Sequence, residues 1–158
     1  MAWAKNGTYT ETTTVTTITL TPLTARKFNV ILDHTIGNSY QNLQRLNGDS
    51  GNNYVMRISS NGGADTTSLN ETHLGINWGD TTDGKFIIIY ICSISGQEKL
   101  TIGFGVKTNT AGAGTAPQRA EQVGKYIPSP DAGITSYSTY NGLGSYTAGS
   151  NISAIGTD

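Results

Sequence analysis

The sequence predicts an all-β fold, a two-sheet antiparallel sandwich of jelly-roll or Greek-key type with roughly eight strands. Short segments alternate apolar and polar residues with a period of two, which is typical of antiparallel strands with one face in water. Clusters of Gly, Asn, Pro and Ser separate these segments, and no segment combines helical apolar spacing with good helix formers. At 158 residues the chain has the size of one domain, so we expect residues 1–158 to form a single β-sandwich.

Eight segments have the composition and alternation of strands. In chain order they are TETTTVTTITL (10–20), KFNVILDH (27–34), NYVMRIS (53–59), FIIIYI (86–91), KLTIGFGVK (99–107), EQVGKYI (121–127), ITSYSTY (134–140) and SNISAIG (150–156). The fourth is apolar on both faces and is predicted to be a central strand. A tight turn at Gly96–Gln97 is expected to join it to the fifth.

The apolar side of each alternating segment is expected to face the core. The predicted core residues are Phe28, Val30, Leu32, Tyr54, Met56, Ile58, Ile88, Ile102, Phe104 and Val106. On the opposite side of the fifth segment, Gly103 and Gly105 form a flat stripe that another backbone can approach closely. That backbone belongs either to the same chain or to a second subunit.

Composition excludes several classes of partner. The net charge is −1 and only 13% of residues are charged, about half the usual share, so a basic nucleic-acid-binding surface is not expected. The longest apolar run, Phe86–Cys92, is far too short to span a membrane. The N-terminus lacks the apolar segment of a secretory signal, so synthesis in the cytoplasm is expected. Cys92 is the only cysteine and is interpreted as a small buried apolar residue.

The stretch RLNGDSGNNYVMRISSNGGAD (45–65) carries closely spaced oxygen ligands and turn residues. Read as an EF-hand starting at Asn47, it has Asn52 where the turn glycine belongs and Ile58 where a bidentate Glu is required. A looser calcium site around Asp49 stays open as an alternative. The favoured interpretation is a metal-free Asn/Gly turn that leads into the strand at Tyr54, with Arg45 or Arg57 pairing with Asp49 or Asp65.

No pattern indicates catalysis or a cofactor. His34 and His73 do not have metal-ligand spacing, and Cys92 has no evident activating partner. No spacing pairs any two of the carboxylates for acid–base chemistry. AGAGTAP (111–117) lacks the third glycine and the following helix of a phosphate-binding loop. The protein is therefore predicted not to be an enzyme, and no metal or cofactor is expected.

Aromatic residues in or beside turns are the candidate contact residues. They are Trp3, Trp78, Tyr137, Tyr140 and Tyr146. Aromatic rings beside Asn and Asp stack on sugars, anchor subunit contacts or simply pack in the fold. Together with Gly103 and Gly105, they form the predicted interface or ligand-contact set, with a subunit interface favoured over packing and over glycan contact.

Four segments resemble small structural proteins of environmental tailed bacteriophages. They are RLNGDSGNNYVMR (45–57), SSNGGAD (59–65), AGAGTAPQRAEQVGKY (111–126) and SNISAIGTD (150–158). The resemblance implies a virion component, a β-sandwich on the capsid surface or in a tail appendage, and it supplies no catalytic residues. The expected partners are further copies of the chain, with a trimer favoured, and other virion proteins. A carbohydrate-binding or host-adhesion module is the alternative, and a hydrolase with an unrecognised carboxylate pair is the third.

Overall fold

The structure, a computed structural model, describes residues 2–38, 41–77, 84–108 and 112–158. Within these ranges the regular structure consists of fourteen β-strands and no helix. The strands are numbered β1 to β14 in chain order. They form one eight-stranded sheet, one four-stranded sheet and a separate two-stranded pair.

All pairings in the eight-stranded sheet are antiparallel. Its strands, in spatial order, are β1 (Ala4–Thr10), β14 (Asn151–Thr157), β3 (Phe28–Thr35), β9 (Lys85–Cys92), β10 (Lys99–Lys107), β11 (Gln118–Tyr126), β6 (Tyr54–Ser60) and β7 (Thr66–Glu71). The centre of this sheet is the meander β9–β10–β11, in which consecutive strands are neighbours. β14 lies inside the sheet, between β1 and β3.

The four-stranded sheet is also antiparallel. Its strands, in spatial order, are β2 (Thr17–Leu20), β12 (Tyr137–Tyr140), β5 (Gln41–Leu46) and β8 (Leu74–Asn77). The two-stranded pair consists of β4 (Gly37–Asn38) and β13 (Ser145–Tyr146). The predicted all-β, two-sheet antiparallel class is confirmed. Six described strands were not predicted: β1, β5, β7 and β8 have weak or no apolar alternation, and β4 and β13 have only two residues each.

One hydrophobic cluster joins the two larger sheets. The eight-stranded sheet contributes the inward side chains of β9, namely Ile87, Ile89 and Ile91, and the four-stranded sheet contributes residues such as Ile18 and Tyr137. Tyr54 and Met56 are buried in this cluster, as predicted, and Ile58 packs against it half-buried. The core therefore fills the space between the sheets.

The predicted core was wrong for strands β3 and β10. Five residues assigned to the core are exposed on the outer side of the eight-stranded sheet, namely Phe28, Leu32, Ile102, Phe104 and Val106. Val30 and Ile88 also point to that side, where neighbouring side chains cover them. The inward positions of β10 are instead Lys99, Thr101, Gly103, Gly105 and Lys107.

The register of the sheet explains this inversion. Directly paired residues in neighbouring strands point to the same face. Gly103 is paired with Ile89, and Phe104 is paired with Ile88. Ile89 faces the core, so Gly103 does too, and Phe104 must point outward.

Candidate functional site

The outer side of the eight-stranded sheet carries a continuous apolar surface, which we call the outer apolar face. It consists of Phe28, Val30, Leu32, Phe86, Ile88, Tyr90, Leu100, Ile102, Phe104, Val106, Val123 and Ile155. These residues come from β3, β9, β10, β11 and β14, so the face crosses the centre of the sheet.

Strand register places the residues of the outer apolar face in rows. One row runs through five strands as Ile155, Val30, Tyr90, Ile102 and Val123. Because neighbouring strands are about 4.8 Å apart, this row is about 20 Å long. Along β10 the face extends from Leu100 to Val106, which at about 3.4 Å per residue is another 20 Å or so.

The exposed area is large for a surface in water. Ten of the twelve residues are between 36% and 55% exposed. Taking about 200 Å² for a large side chain, they expose on the order of 900 Å². The largest apolar patch of a typical monomeric protein covers about 300–600 Å² and is often functional. A stable protein–protein interface buries about 800 Å² per partner. The outer apolar face therefore has the area of an interface.

Three shallow hollows interrupt this surface. The first, of about 350 Å³, is lined by apolar groups that include Trp3, Phe28, Tyr90 and Leu100. We call it the Trp3 hollow. The second, of about 260 Å³, lies beside Ile102 and Phe104. The third, of about 440 Å³, lies between Leu100 and Leu69. Ile102, Phe104 and Leu100 each line at least one of these hollows.

A charged rim borders the outer apolar face on the β6–β11 side. Its ion pairs are Arg57–Asp65 at 3.9 Å, Arg119–Glu121 at 3.0 Å and Lys125–Glu98 at 3.0 Å. The rim carries three cations and three anions, and each of these side chains is at least one-third exposed. Its charges therefore cancel.

The opposite, inner side of the sheet holds a buried polar cluster. The Tyr137 hydroxyl donates to Asp33 Oδ2 at 2.7 Å, and the Tyr146 hydroxyl donates to Asn42 Oδ1 at 2.9 Å. Thr139 also donates to Asn42, which in turn donates to Thr35 at 3.0 Å. All six of these side chains are buried, so the cluster holds the two sheets together and is closed to solvent.

Burial controls the ionisation of this cluster. Asp33 is fully buried, its Oδ1 has no hydrogen-bond partner, and burial raises its pKa to about 7 although Tyr137 and Thr139 act in the opposite direction. Burial and the neighbouring Asp33 carboxyl also raise the pKa of Tyr137 well above its ordinary value. Asp33 is sealed in the core and cannot reach a substrate in solution, so we assign it a structural role.

A second buried charge stabilises the β9–β10 connection. Lys99 Nζ, fully buried, donates to the carbonyls of Ile94 and Gln97 at 2.8 and 2.9 Å and lies 2.5 Å from Asp131 Oδ1. The other oxygen of Asp131 accepts from the Gly96 backbone N–H. Lys99, with the Gly96 N–H, lowers the pKa of Asp131. The predicted turn at Gly96–Gln97 is present, and this ion pair fixes it.

Internal hydrogen bonds take up the oxygens of the Asn47–Asn53 turn. The Asp49 carboxylate accepts from the Gly51 N–H at 2.7 Å and from Asn53 Nδ2 at 2.9 Å. Burial acts to raise the pKa of Asp49, but these donors outweigh it and the pKa is lowered. Asn47 Oδ1 accepts from the Thr135 N–H at 2.8 Å. The Arg57–Asp65 pair forms, at the long distance of 3.9 Å. These contacts suit the metal-free interpretation, which stays a prediction.

The expected surface position of two candidate contact residues was wrong. Tyr137 and Tyr146 are both fully buried in the core, where their hydroxyl groups belong to the polar cluster. The segments around them, predicted to be a strand and a turn, form β12 and β13, which face inward. Gly103 and Gly105 are also buried, on the inner face. The glycine stripe therefore lies on the side opposite the outer apolar face.

The remaining candidates lie at three different places. Trp3 is 53% exposed and borders the outer apolar face at the Trp3 hollow. Tyr140 is half-buried on the outer side of the smaller sheet, where Arg45 stacks over its ring at 4.2 Å and His73 meets its edge. Trp78 lies outside the described residues. Of the members of the set that the structure describes, Trp3 alone joins the outer apolar face.

Sequence reasoning missed the principal members of this face. Ile102, Phe104 and Val106 were assigned to the core, and Tyr90, Leu100, Val123 and Ile155 were not in the predicted core or contact set. One signal was present in the sequence: FIIIYI is apolar on both faces, and a strand of that kind must be covered on both sides. The four-stranded sheet covers one side of it. The other side is the outer apolar face.

Across residues 2–38, 41–77, 84–108 and 112–158, no group of three or more His, Cys, Asp or Glu side chains has the arrangement of a metal site. In the same ranges there is no helix, so none that would cross a membrane. No protein-family model matches the chain, and no curated protein shows significant similarity to it.

Proposed function

We propose that the protein is a structural subunit of a tailed-phage virion that is held in a larger assembly by its outer apolar face. The resemblance of four segments to small phage structural proteins supports the virion context. The outer apolar face supports the assembly role, and it is the observation that carries the proposal. A chain that exposes an apolar surface of this size must have it covered for most of its lifetime, because such surfaces otherwise cause aggregation.

The proposed role is non-enzymatic and needs no cofactor. Among the residues that the structure describes, Asp33 is the carboxyl group whose pKa is strongly raised, to about 7, and it lies sealed between the sheets, away from solvent. The proposed partners are further copies of the chain and other virion proteins, on the capsid surface or in a tail appendage. Subunits of this kind are synthesised in the host cytoplasm and join the particle there.

Quantitative mass spectrometry of purified virions tests the proposal. Peptides of this chain are expected at a constant, many-copy ratio to the major capsid protein. Cryo-electron microscopy of the same particles is expected to locate the chain with its outer apolar face covered. Absence of the chain from purified particles would contradict the virion role.

A carbohydrate-binding module is the second candidate, and the Trp3 hollow is the observation that favours it. Trp3, Phe28 and Tyr90 offer exposed aromatic surface on which a sugar ring can stack. Sugars also require several hydrogen bonds, and Asn29, itself buried, is the one polar residue lining this hollow. A glycan array probed with the wild-type chain and with Trp3→Ala separates the candidates: saturable binding that Trp3→Ala abolishes would support the module.

A further inference from the structure

We infer that the occupant of the outer apolar face is the same face of a second copy of this chain, so that the subunit exists as a two-fold symmetric pair. This inference rests on the proposed structural role and names the partner at its principal surface. Three features of the face support it: its area, its charge balance and its hollows.

The area is sufficient for a stable pair. The exposed apolar surface is on the order of 900 Å², and a standard interface buries about 800 Å² on each partner. A face-to-face pair would cover the row from Ile155 to Val123 on both copies at once. Smaller occupants, such as one extended peptide, would leave most of this row in water.

The charge balance favours a copy of the same chain over a partner of one charge sign. The rim carries Arg57, Arg119 and Lys125 together with Asp65, Glu121 and Glu98. An acidic or a basic partner would meet three like charges here. A second copy brings equal numbers of both signs, and a two-fold axis allows cations of one rim to lie near anions of the other.

Hollows on the face give room for side chains of a second copy. They have volumes of about 260 to 440 Å³ and are lined in part by Leu100, Ile102 and Phe104. In the proposed pair, side chains of one copy enter hollows of the other, and the reverse contact follows from the two-fold symmetry. Two sheets packed in this way lie about 10 Å apart, with their side chains interdigitated as in a sandwich core.

A face that meets its own copy across a two-fold axis generates a pair. A closed trimer would need two different surfaces on each subunit, since its contacts are head-to-tail. The pair proposed here therefore replaces the trimer that the sequence favoured, for contacts made through this face. Higher assemblies would use other surfaces of the subunit.

Sedimentation equilibrium of the purified chain tests the inference. The wild type is expected at twice the monomer mass of 16.7 kDa. Ile102→Glu places a charge at the centre of the buried face and is expected to give 16.7 kDa, with at least a hundredfold weaker association. Leu143→Glu is the matched control, since Leu143 is an apolar residue, 67% exposed, in the loop between β12 and β13. It is expected to associate like the wild type.

A second, milder substitution keeps the inference testable even if Ile102→Glu does not fold. Ile102 is half-exposed in the single subunit, so Ile102→Glu should fold, and far-UV circular dichroism checks this. Val123→Thr keeps a β-branched residue on the same face and is expected to weaken association about tenfold. Pairing that survives both substitutions would overturn the inference, as would a wild-type mass of one or three copies.

Comparing the mass of the wild type with its presence in virions distinguishes a failure of the pairing inference from a failure of the proposed structural role. A wild-type monomer that is nevertheless found in purified virions would eliminate the pair and leave the virion role standing. A wild type that pairs in solution but is absent from virions would support the pair and contradict the virion role. In the first case a photo-crosslinking residue at Phe104 would identify the virion protein that covers the face.

Discussion

The two faces of strand β10 have the reverse of the polarity expected in a protein with one core. The inner face carries polar and small residues, and the outer face carries apolar ones. Its inner positions are Lys99, Thr101, Gly103, Gly105 and Lys107, all of them buried. Its outer positions are Leu100, Ile102, Phe104 and Val106, all of them about half-exposed. The more apolar side of this strand faces solvent in the single subunit.

The neighbouring strand β9 shows how the sheet accommodates this arrangement. Its inner residues Ile87, Ile89 and Ile91 supply apolar contacts to the core, while its outer residues Phe86 and Tyr90 extend the outer apolar face. The sheet is thus apolar on two sides near its centre. Sheets with both faces apolar occur where both faces are covered. We propose that folding covers one of these faces and that assembly covers the other.

A matched pair of isoleucines gives the largest expected effect. Ile89→Ala removes a side chain that is 1% exposed and should lower the free energy of unfolding by about 2–5 kcal/mol. Ile102→Ala, on the adjacent strand and the opposite face, should lower it by about 1 kcal/mol or less, because half of that side chain is in water. Urea unfolding at low protein concentration, where association is negligible, measures both. Equal losses of unfolding free energy would mean that Ile102 on the outer face contributes as much to folding as Ile89 on the inner face.

Two glycines on the inner face, Gly124 and Gly103, allow a second comparison, in which the expected changes in stability are smaller. A Cβ at Gly124 would lie 2.7 Å from a Leu74 methyl group and 2.9 Å from Thr101 Oγ1. Gly124→Ala should therefore cost about 1–3 kcal/mol through overpacking between the sheets. At Gly103 the nearest atoms are 3.7 Å away, so Gly103→Ala should be neutral or stabilise by about 0.4–1 kcal/mol. Thermal unfolding of the two variants checks the contrast. A larger loss at Gly103 would show that the stripe needs its glycines.

The polar cluster of the inner face predicts a pH dependence. Burial raises the pKa of Asp33 from 3.8 to about 7, so the folded chain keeps this proton where the unfolded chain loses it. The resulting stabilisation is complete below about pH 4, falls by about 1.4 kcal/mol per pH unit as the pH rises toward 7, and is absent above. Asp33→Asn has no such contribution. The free energy of unfolding of the wild type, minus that of Asp33→Asn, should therefore fall from pH 4 to pH 7.

Chemical denaturation at several pH values measures this difference. Using the difference between the two proteins cancels the other carboxyl groups, such as Glu11 and Asp131, whose pKa values are lowered and whose effect has the opposite sign. A difference that is constant with pH would show that the pKa of Asp33 is the same in the folded and the unfolded chain.

The smallest expected effect concerns the turn that joins β5 of the smaller sheet to β6 of the larger. Since Asp49 is already held by Gly51 and Asn53, millimolar calcium should leave the melting temperature unchanged relative to the chelated protein. Thermal melts with calcium and with chelator test this. A calcium-dependent rise would mean that an ion, bound only by the native state, contributes to joining the sheets.

Local patterns were enough to predict strands but could not orient all of them. KLTIGFGVK has period two and forms β10, as predicted, yet the assumption of one apolar face per strand turned it the wrong way. Its orientation depends on the pairing of Gly103 with Ile89, a contact between strands that no local pattern contains. The same limit applies to β3, in which Asn29, Ile31 and Asp33 face inward.

Tyrosines illustrate a second limit. Tyr137 and Tyr146 lie in polar, glycine-rich surroundings that suggested exposed turns. They are buried because Asp33 and Asn42, more than a hundred positions earlier in the chain, provide partners for their hydroxyl groups. Buried tyrosine requires such a partner, and its location is a property of the tertiary structure. The candidate site was missed for a related reason, since a second apolar face is recognised only after the first has been assigned to the core.

The position of β14 has a consequence for the order in which the chain can fold during synthesis. β14 pairs with β1 on one side and with β3 on the other, although both strands leave the ribosome long before it. Pairings between such distant segments form slowly. Until residues 151–157 emerge, β3 remains an open sheet edge with unpaired backbone groups, to which another nascent chain can add a strand. Translation that stalls before residue 151 would therefore leave a chain prone to strand exchange with its neighbours on the same message.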